Sequence, residues 1–334
     1  MTASWDLREG HVLDCLREMD AGSVQCCITS PPYFGLRDYQ LDLSAWGDGW
    51  VGCLGLEPSV DQFVVHLVEV FSEVRRVLAD DGTLWLNLGD SYAGGGNGAR
   101  DPERWPKQSR NNGGDRIQHA KKQTGAKSKD LLGVPWATAF ALRADGWYLR
   151  QDIIWNKPNP MPESVTDRPT TAHEHIFLLA PSASYFYDAP AIREQPVSLE
   201  QTEHNERYAR EYATHTARVE REGGQPGNKN NAGIHSRPGP PGRNKPSVWT
   251  VAKRPYPDAH FATFPPKLIE PMVLAGCPAG GTILDPFAGS GTTLQVAVER
   301  GRNAIGIELK PEYAELTHAR LAGVTPPLFA EDAA

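Results

Sequence analysis

The sequence lacks the features that would direct a chain to a membrane or an oxidising compartment. Its first residues, from Met1 to Asp6, contain no apolar run, so no signal peptide is expected, and no later stretch approaches membrane-spanning length. Only five cysteines are present, scattered and without a Cys-x-x-Cys pair. We therefore expect neither disulfides nor a structural zinc site, and we expect a reducing, cytoplasmic location.

Positive charge is also scarce. The 34 Lys and Arg residues are outnumbered by 41 Asp and Glu, and the net charge of −7 alone argues against a polyanionic ligand. Two segments depart from this balance, because 100–129 is net basic and 223–254 contains no acidic residue. Such segments are either solvated loops or surfaces that contact nucleic acid.

The apolar pattern predicts an α/β fold. Helical spacing runs from Phe63 to Leu78, Asp80-Asp81-Gly82 is expected to end that helix, and a strand follows over 83–88. Strands are predicted at 24–28, 148–155, 175–180, 282–285 and 304–307, with helices at 13–19, 131–142, 266–273, 292–300 and 311–321. Alternation of this kind is typical of a mostly parallel sheet covered by helices.

Two segments interrupt the alternation. Residues 94–130 are rich in Gly, Asn and basic side chains, and 190–248 carry a charged stretch followed by a Gly- and Pro-rich one. We therefore divide the chain into an N-terminal part (1–93 and 131–189), a basic loop (94–130), a separate module (190–248), a C-terminal part (249–325) and a tail (326–334).

A strand, a glycine loop, a helix, a second strand and an acid follow one another near the end of the chain. The loop Asp285-Pro286-Phe287-Ala288-Gly289-Ser290-Gly291 leads into Thr292, and Glu308 ends the next strand. This order is typical of nucleotide-type cofactor sites, in which the distal acid binds ribose hydroxyls. Asp285 would repel a phosphate and suits a cationic ligand, which favours S-adenosylmethionine over NAD or ATP.

The apolar run Val24–Ile28 ends in Thr29-Ser30-Pro31-Pro32-Tyr33. The prolines fix the backbone and leave carbonyl acceptors beside an aromatic face. This turn is either a packed strand end or a site for a planar group that carries an amine.

Together these motifs resemble those of β-class S-adenosylmethionine-dependent DNA amino-methyltransferases. Ser30-Pro31-Pro32-Tyr33 is similar to their catalytic motif, Asp285–Thr293 to their cofactor motif, and the segment from His260 to Pro265 to the one before the cofactor strand. The catalytic motif precedes the cofactor motif, as in the circularly permuted members of the family. The resemblance implies a Rossmann-like fold with a mostly parallel seven-stranded sheet. It also implies a catalytic half at 1–93 and 131–189, a cofactor-binding half at 249–325 and an inserted target-recognition region at 190–248.

The resemblance also implies roles for particular residues. The cofactor S-adenosyl-L-methionine would be bound by Asp285, Pro286, Phe287, Ala288, Gly289, Ser290, Gly291, Thr292, Thr293, Glu308, Thr263, Phe264 and His11. The family usually carries an acid where this chain has His11, with Asp14 either compensating or lying on the surface. Double-stranded DNA would be contacted by Arg100, Arg104, Lys107, Arg110, Arg116, Lys121, Lys122, Arg237, Arg243 and Lys245, and its phosphates neutralised.

The catalytic motif points to methylation of an exocyclic amine on a flipped base. Ser30 and the Pro31 carbonyl would bind the amine hydrogens, and Tyr33 would stack on the base. Ser at the first motif position favours cytosine N4, while adenine N6 stays open as the alternative. No Pro-Cys pair supplies the nucleophile of a carbon-5 cytosine enzyme.

Other functions fit less well. A catalytically inactive DNA-binding relative would need damaged motifs, and an RNA or protein methyltransferase is disfavoured by the permuted order and the basic insertion. His173-Glu174-His175 offers no third ligand for a metal, so no metal site is expected. The segment from Trp155 to Pro158 is either substrate-proximal or structural. A cognate restriction endonuclease is a partner that the resemblance allows, and the chain would act as a monomer or homodimer.

Overall fold

The computed structural model describes residues 3–36, 38–39, 41, 43–94, 126–194, 243–253 and 264–324. Ten strands are present in these residues: β1 (Trp5–Glu9), β2 (Val24–Thr29), β3 (Ser44–Ala45), β4 (Val51–Gly52), β5 (Leu78–Leu88), β6 (Tyr148–Asn156), β7 (His173–Ala180), β8 (Val248–Thr250), β9 (Thr282–Asp285) and β10 (Asn303–Glu308). The α-helices of the same residues are α1 (Val12–Arg17), α2 (Val60–Val77), α3 (Val134–Ala144), α4 (Pro266–Gly276), α5 (Thr292–Glu299) and α6 (Pro311–Leu321).

Eight strands form one large sheet in the order β1-β10-β9-β2-β5-β7-β6-β8. Every neighbouring pair is parallel except the two that involve β7, which runs against both β5 and β6. The predicted α/β class and mostly parallel sheet are confirmed. The expected strand number of seven was one too low, because the three-residue edge strand β8 pairs with β6 at Ile154 to Asn156.

The strand order brings the two halves of the chain together at the site. β2 lies between β9 and β5, so Cys27 pairs with Leu284 on one side and with Leu84 on the other. The carboxyl ends of parallel strands meet at one edge of a sheet, where ligands bind in open α/β folds. The ends of β2, β9 and β10 therefore place Thr29, Asp285 and Glu308 at the same edge.

The predicted stop of helix α2 at Asp80-Asp81-Gly82 was wrong. The helix ends at Val77, and strand β5 begins directly at Leu78, which is extended (φ −72°, ψ 142°). Val24 pairs with Leu78 and Cys26 with Thr83, so the four residues between Leu78 and Thr83 lie opposite Gln25 alone. The bulge keeps these polar residues inside a strand, and a polar Asp-Asp-Gly run therefore did not mark a turn.

Apolar side chains of the predicted helical stripe fill the core beside the sheet. Phe63, Leu67, Val70, Phe71 and Val74 of α2 are fully buried, as expected for the inner face of an amphipathic helix. Ser59 caps the N-terminus of this helix, and its hydroxyl accepts a hydrogen bond from the Gln62 amide at 3.2 Å. No helix in the described ranges is long and apolar enough to cross a bilayer.

The chain divides into two compact units. One contains Met1–Tyr187 and Ser247–Ala334, including the whole large sheet, and the other contains Asp188–Pro246. In the second unit a short 3-10 turn spans Pro190–Ile192, and Glu194 forms a backbone bridge with Arg243. Its bounds lie within two residues of the predicted module 190–248, whose role in target recognition stays a prediction.

Candidate active site

The cofactor loop begins at Asp285, which ends strand β9 and is 2 % exposed. Its Oδ1 accepts hydrogen bonds from the Thr29 hydroxyl at 2.7 Å and from the Phe287 amide at 3.1 Å. Burial raises the pKa of Asp285 to about 6, although these hydrogen bonds act in the opposite direction. The carboxylate is thus positioned by both halves of the chain.

Glu308 supports the loop from the end of strand β10. Its Oε2 accepts a hydrogen bond from the Gly289 amide and its Oε1 one from the Lys310 amide, both at 2.8 Å. Burial raises its pKa to about 7, and the nearby charge of Asp285 contributes to that rise. Each oxygen keeps a second acceptor position for a ligand hydroxyl.

Residues of helix α6 hold the remainder of the loop. Gly291 precedes helix α5 with φ 74°, and a Cβ on it would lie 2.7 Å from Cγ2 of Thr317. The Thr317 hydroxyl donates to the Gly289 carbonyl at 2.9 Å, and Arg320 donates to the hydroxyls of Ser290 and Thr292. Glycine is required at 291 both for its left-handed conformation and for this close approach.

The Ser-Pro-Pro-Tyr turn follows strand β2 and has a defined internal geometry. The Ser30 hydroxyl donates to the Tyr33 oxygen at 3.2 Å, and the Tyr33 hydroxyl donates to Oε2 of Glu174 at 2.8 Å. The Tyr33 ring packs on Gly89, where an added Cβ would lie 2.6 Å from Cε2 of the ring. Burial raises the pKa of Tyr33 well above its usual value.

Three residues outside the two motifs surround this turn. Asn87 donates from Nδ2 to the Tyr33 oxygen at 2.7 Å and to Glu174 Oε2 at 3.0 Å, and Lys157 forms an ion pair with Glu174. Glu174 is the middle residue of the His-Glu-His run that was considered as a metal site. Lys157 belongs to the Trp155–Pro158 segment, and it does reach the catalytic turn through Glu174.

One cavity of about 380 Å³ joins the turn to the cofactor loop. The predicted residues that line it are His11, Ser30, Pro31, Pro32, Tyr33, Phe264, Asp285, Pro286, Phe287, Ala288, Gly289, Ser290, Thr292 and Glu308. Among the described residues, Gly291 and Thr293 are not part of this lining, because they face helix α6 and the core. Thr263 lies outside the described residues.

Aromatic and aliphatic side chains that were not predicted complete the wall. They include Tyr39, Trp46, Leu54, Leu309 and Tyr313. The rings of His11 and Trp46 meet edge to face with their centroids 5.4 Å apart, and burial lowers the pKa of His11. Asp14 is a surface residue, since 74 % of its side chain is exposed and it pairs with Arg17 at 3.8 Å.

His173 and His175 share a face of strand β7, as their spacing predicts. Their ring centroids are 5.3 Å apart, and Nδ1 of His175 lies 3.0 Å from Oδ1 of Asp152. Glu174 points to the opposite face. The described residues contain no group of three or more His, Cys, Asp or Glu side chains suited to a metal ion.

Comparison with known proteins decides the family. The N6/N4 model described as DNA methylase matches residues 24–319. The Type II methyltransferase M.Cfr9I of Citrobacter freundii is 43% identical over 317 residues, which cover 95% of this chain and 87% of the relative. This chain belongs to the DNA methylase family.

Two solved structures share the fold of this methylase. The cytosine-N4-specific PvuII DNA methyltransferase superposes with a TM-score of 0.61 at 16% identity, covering 100% of this chain and 91% of the other. TTHA0409 of Thermus thermophilus, solved with S-adenosyl-L-methionine, has a TM-score of 0.55 at 23% identity and covers 97% and 95% of the two chains.

The cavity of the methylase fits S-adenosylmethionine, the methyl donor of this family. Asp285 offers an anionic acceptor for a cationic ligand, Glu308 keeps acceptor positions for hydroxyls, and the aromatic wall around Trp46 suits a planar base. The donor set therefore agrees with the ligand that the sequence favours.

The predicted DNA-contacting residues are described only in part. Arg243 and Lys245 lie in the Asp188–Pro246 unit, where both donate to Glu194, at 2.8 Å and 3.0 Å. About half of the Arg243 side chain is exposed. The other eight predicted contacts lie outside the described residues, namely Arg100, Arg104, Lys107, Arg110, Arg116, Lys121, Lys122 and Arg237.

Proposed function

We propose that this DNA methylase transfers a methyl group to the N4 amine of cytosine within a specific DNA sequence. The observation that carries the proposal is the Ser30 hydroxyl, which donates its hydrogen to Tyr33 at 3.2 Å. Its oxygen receives a long 3.4 Å contact from Nδ2 of Asn87 and keeps a second acceptor position for an amine. Ser30 lines the same cavity as the cofactor loop. The cytosine-N4 specificity of the PvuII enzyme, which shares the fold, agrees with this assignment.

The residues of the turn would act by orientation. The amine of a base is a poor nucleophile because its lone pair is delocalised into the ring. Ser30 Oγ and the Pro31 carbonyl would each accept one amine hydrogen and turn the lone pair towards the cofactor loop. Pro31 suits this role because a proline carbonyl at a rigid turn has a fixed direction.

Tyr33 would receive the ring of the flipped base. Flipping costs a few kcal/mol, and stacking of about 1–3 kcal/mol per base offsets part of that cost. The hydroxyl of Tyr33 is held by Asn87 and Glu174, so the ring presents a face of fixed orientation.

When bound, S-adenosylmethionine supplies an electrophilic methyl group on a sulfonium. The chain's part is to bind and orient it. Asp285 would pair with the ammonium group and Glu308 with the ribose hydroxyls, while the apolar wall of the cavity excludes water. These assignments place no covalent nucleophile on the protein, and the buried Cys26 and Cys27 have raised pKa values that suit packing rather than attack.

The biological context follows from the relatives, which are Type II methyltransferases. We propose that the enzyme acts in the cytoplasm and protects DNA against a cognate restriction endonuclease. The 190–248 module and the basic 94–130 segment would read and hold the target sequence.

Identification of the methylated nucleoside tests the proposal. Unmethylated genomic DNA is incubated with the enzyme and S-adenosylmethionine, digested to nucleosides and compared with standards by mass spectrometry. The expected product is N4-methyldeoxycytidine. N6-methyldeoxyadenosine as the only product would show that the target base is adenine and not cytosine. Methylation of RNA or protein alone would show that DNA is not the substrate.

A further inference from the structure

A directed series of hydrogen bonds leads from Ser30 to a carboxylate. Glu174 can only accept while it is ionised, so the Tyr33 hydroxyl must donate to it across the 2.8 Å contact. The Tyr33 oxygen then accepts from Asn87 at 2.7 Å and from the Ser30 hydroxyl at 3.2 Å. Both hydroxyl hydrogens consequently point towards Glu174, while the Ser30 oxygen, which also receives a long 3.4 Å contact from Nδ2 of Asn87, keeps an acceptor position for the amine.

The carboxylate at the end of this series is matched with a buried cation. Lys157, whose side chain is 5% exposed, forms an ion pair with Oε1 of Glu174, and its ammonium lies 4.3 Å from the centroid of the Trp155 ring. Burial lowers the pKa of Lys157, and the charge of Glu174 opposes that effect. A buried ion pair is seldom the most stable way to fill a core, because desolvation offsets much of the attraction. Its presence beside the catalytic turn therefore indicates a role in the reaction.

We propose that Glu174 receives the proton that the target amine loses on methylation, through the hydroxyls of Ser30 and Tyr33. The proposal rests on the function proposed above. In this step the sulfur–methyl bond breaks and leaves its electron pair on sulfur, while the amine lone pair forms the new carbon–nitrogen bond. One amine proton passes to Ser30 Oγ, the Ser30 proton to the Tyr33 oxygen, and the Tyr33 proton to Glu174, so both hydroxyls end neutral.

The groups around Glu174 suit this role. It is faced by Lys157 from the segment after β6, by Tyr33 from the turn after β2 and by the neutral Asn87 from β5, while Lys253 beyond β8 acts on Lys157. Glu174 also lines the cavity, so the proton it receives can leave to water when the products depart.

Single-turnover methyl transfer at a saturating concentration of S-adenosylmethionine tests the relay. Glu174→Gln keeps the acceptor for Tyr33 but cannot take up a proton, and Tyr33→Phe keeps the ring but interrupts the series. Each is expected to slow transfer at least tenfold. Cofactor affinity, measured separately by calorimetry, should stay within about twofold, since Glu174 contacts the Ser-Pro-Pro-Tyr turn and not the cofactor loop. Glu270→Gln, which removes the partner of Arg300 on the surface, is the matched control and should leave the rate unchanged.

A purely structural role makes a different prediction. Lys157→Met with Glu174→Gln replaces the ion pair by neutral side chains of similar size, which should recover the melting temperature lost in Glu174→Gln alone. The relay predicts that this double variant stays slow. A double variant at the wild-type rate, or a Tyr33→Phe enzyme at that rate, would overturn the relay while cytosine methylation stands. If the wild-type enzyme methylates adenine and the Glu174→Gln variant is slow, the assignment of cytosine as the target base would be overturned and the relay would stand.

Discussion

The Thr29 hydroxyl donates a 2.7 Å hydrogen bond to the Asp285 carboxylate, although the two residues are 256 positions apart in the sequence. Both are fully or nearly fully buried. Thr29 immediately precedes the Ser-Pro-Pro-Tyr turn and Asp285 begins the cofactor loop, so a single contact fixes one motif against the other. The distance between methyl donor and acceptor depends on this junction.

Loss of the Thr29 hydroxyl should therefore weaken cofactor binding. Thr29→Val keeps the side-chain shape and removes one hydrogen bond to a charged group, worth about 1.5 kcal/mol. We expect the Kd for S-adenosylmethionine to rise about tenfold, as measured by calorimetry. Thr138→Val is the matched control, because Thr138 is equally buried but donates only to the Val134 carbonyl within helix α3. An equal change of Kd in both variants would show that the effect is a general loss of stability.

The affinity for S-adenosylmethionine should increase with pH. Burial raises the pKa of Asp285 to about 6 and that of Glu308 to about 7, so both groups are largely protonated in slightly acid solution. Only the ionised forms attract the ammonium and accept fully from ribose hydroxyls. Binding should tighten as the pH rises from about 5.5 to about 8, and Asp285→Asn should lose the part of this dependence near pH 6.

The same groups give the ligand-free protein the opposite dependence. A carboxyl whose folded pKa lies above its unfolded pKa contributes most to stability below the unfolded value and loses that contribution as the pH rises through the folded value. Asp285 and Glu308 should thus lower the ligand-free melting temperature between about pH 4 and about pH 7. The rise in melting temperature on adding S-adenosylmethionine should consequently grow with pH, and a constant rise would contradict the two raised pKa values.

A methyl group on Gly89 should disturb catalysis without affecting cofactor binding. The added Cβ of Gly89→Ala would lie 2.6 Å from Cε2 of Tyr33 and would displace the ring. Displacing a substrate-positioning group by about 1 Å costs about 100-fold in rate. Methyl transfer in a single turnover measures the loss, and calorimetry shows whether the Kd for the donor is retained. Gly323→Ala, where nothing lies within 4 Å of the added atom, should behave as wild type.

Local patterns predicted most of the sheet and the two motifs. The bounds of β9 and α6 agree with the apolar runs, because a buried parallel strand and an amphipathic helix each leave a short-range signal. Glu174 was not predicted as a site residue, and Lys157 was named only within a segment that is either substrate-proximal or structural. Their roles depend on β7 pairing with β5 and β6, and the pairing with β5 joins residues more than 80 positions apart, which leaves no local pattern. The end of helix α2 was wrongly predicted at Asp80-Asp81-Gly82 for a related reason, because only the pairing of β5 with β2 shows that these residues form a bulge.

The last prediction concerns a buried histidine between two tryptophans. The His66 ring stacks on Trp46 at 4.4 Å and on Trp50 at 5.3 Å between centroids, and its Nδ1 lies 2.9 Å from Oε1 of the fully buried Glu57. Burial alone would lower the pKa of His66, but the carboxylates of Glu57 and Asp48 raise it. Burial raises the pKa of Glu57 despite the contact with His66. Trp46 lines the cofactor cavity, so this stack supports one of its walls.

His66→Phe should preserve the stack and leave Glu57 without its partner. An unpaired buried carboxylate costs about 3 kcal/mol. The variant should therefore lose about 3 kcal/mol of unfolding free energy at about pH 7, as measured by urea denaturation. His66→Phe combined with Glu57→Gln removes the unpaired carboxylate and should recover much of that loss. A combined variant as unstable as the single one would show that packing of the ring, and not the charge of Glu57, determines the contribution of His66.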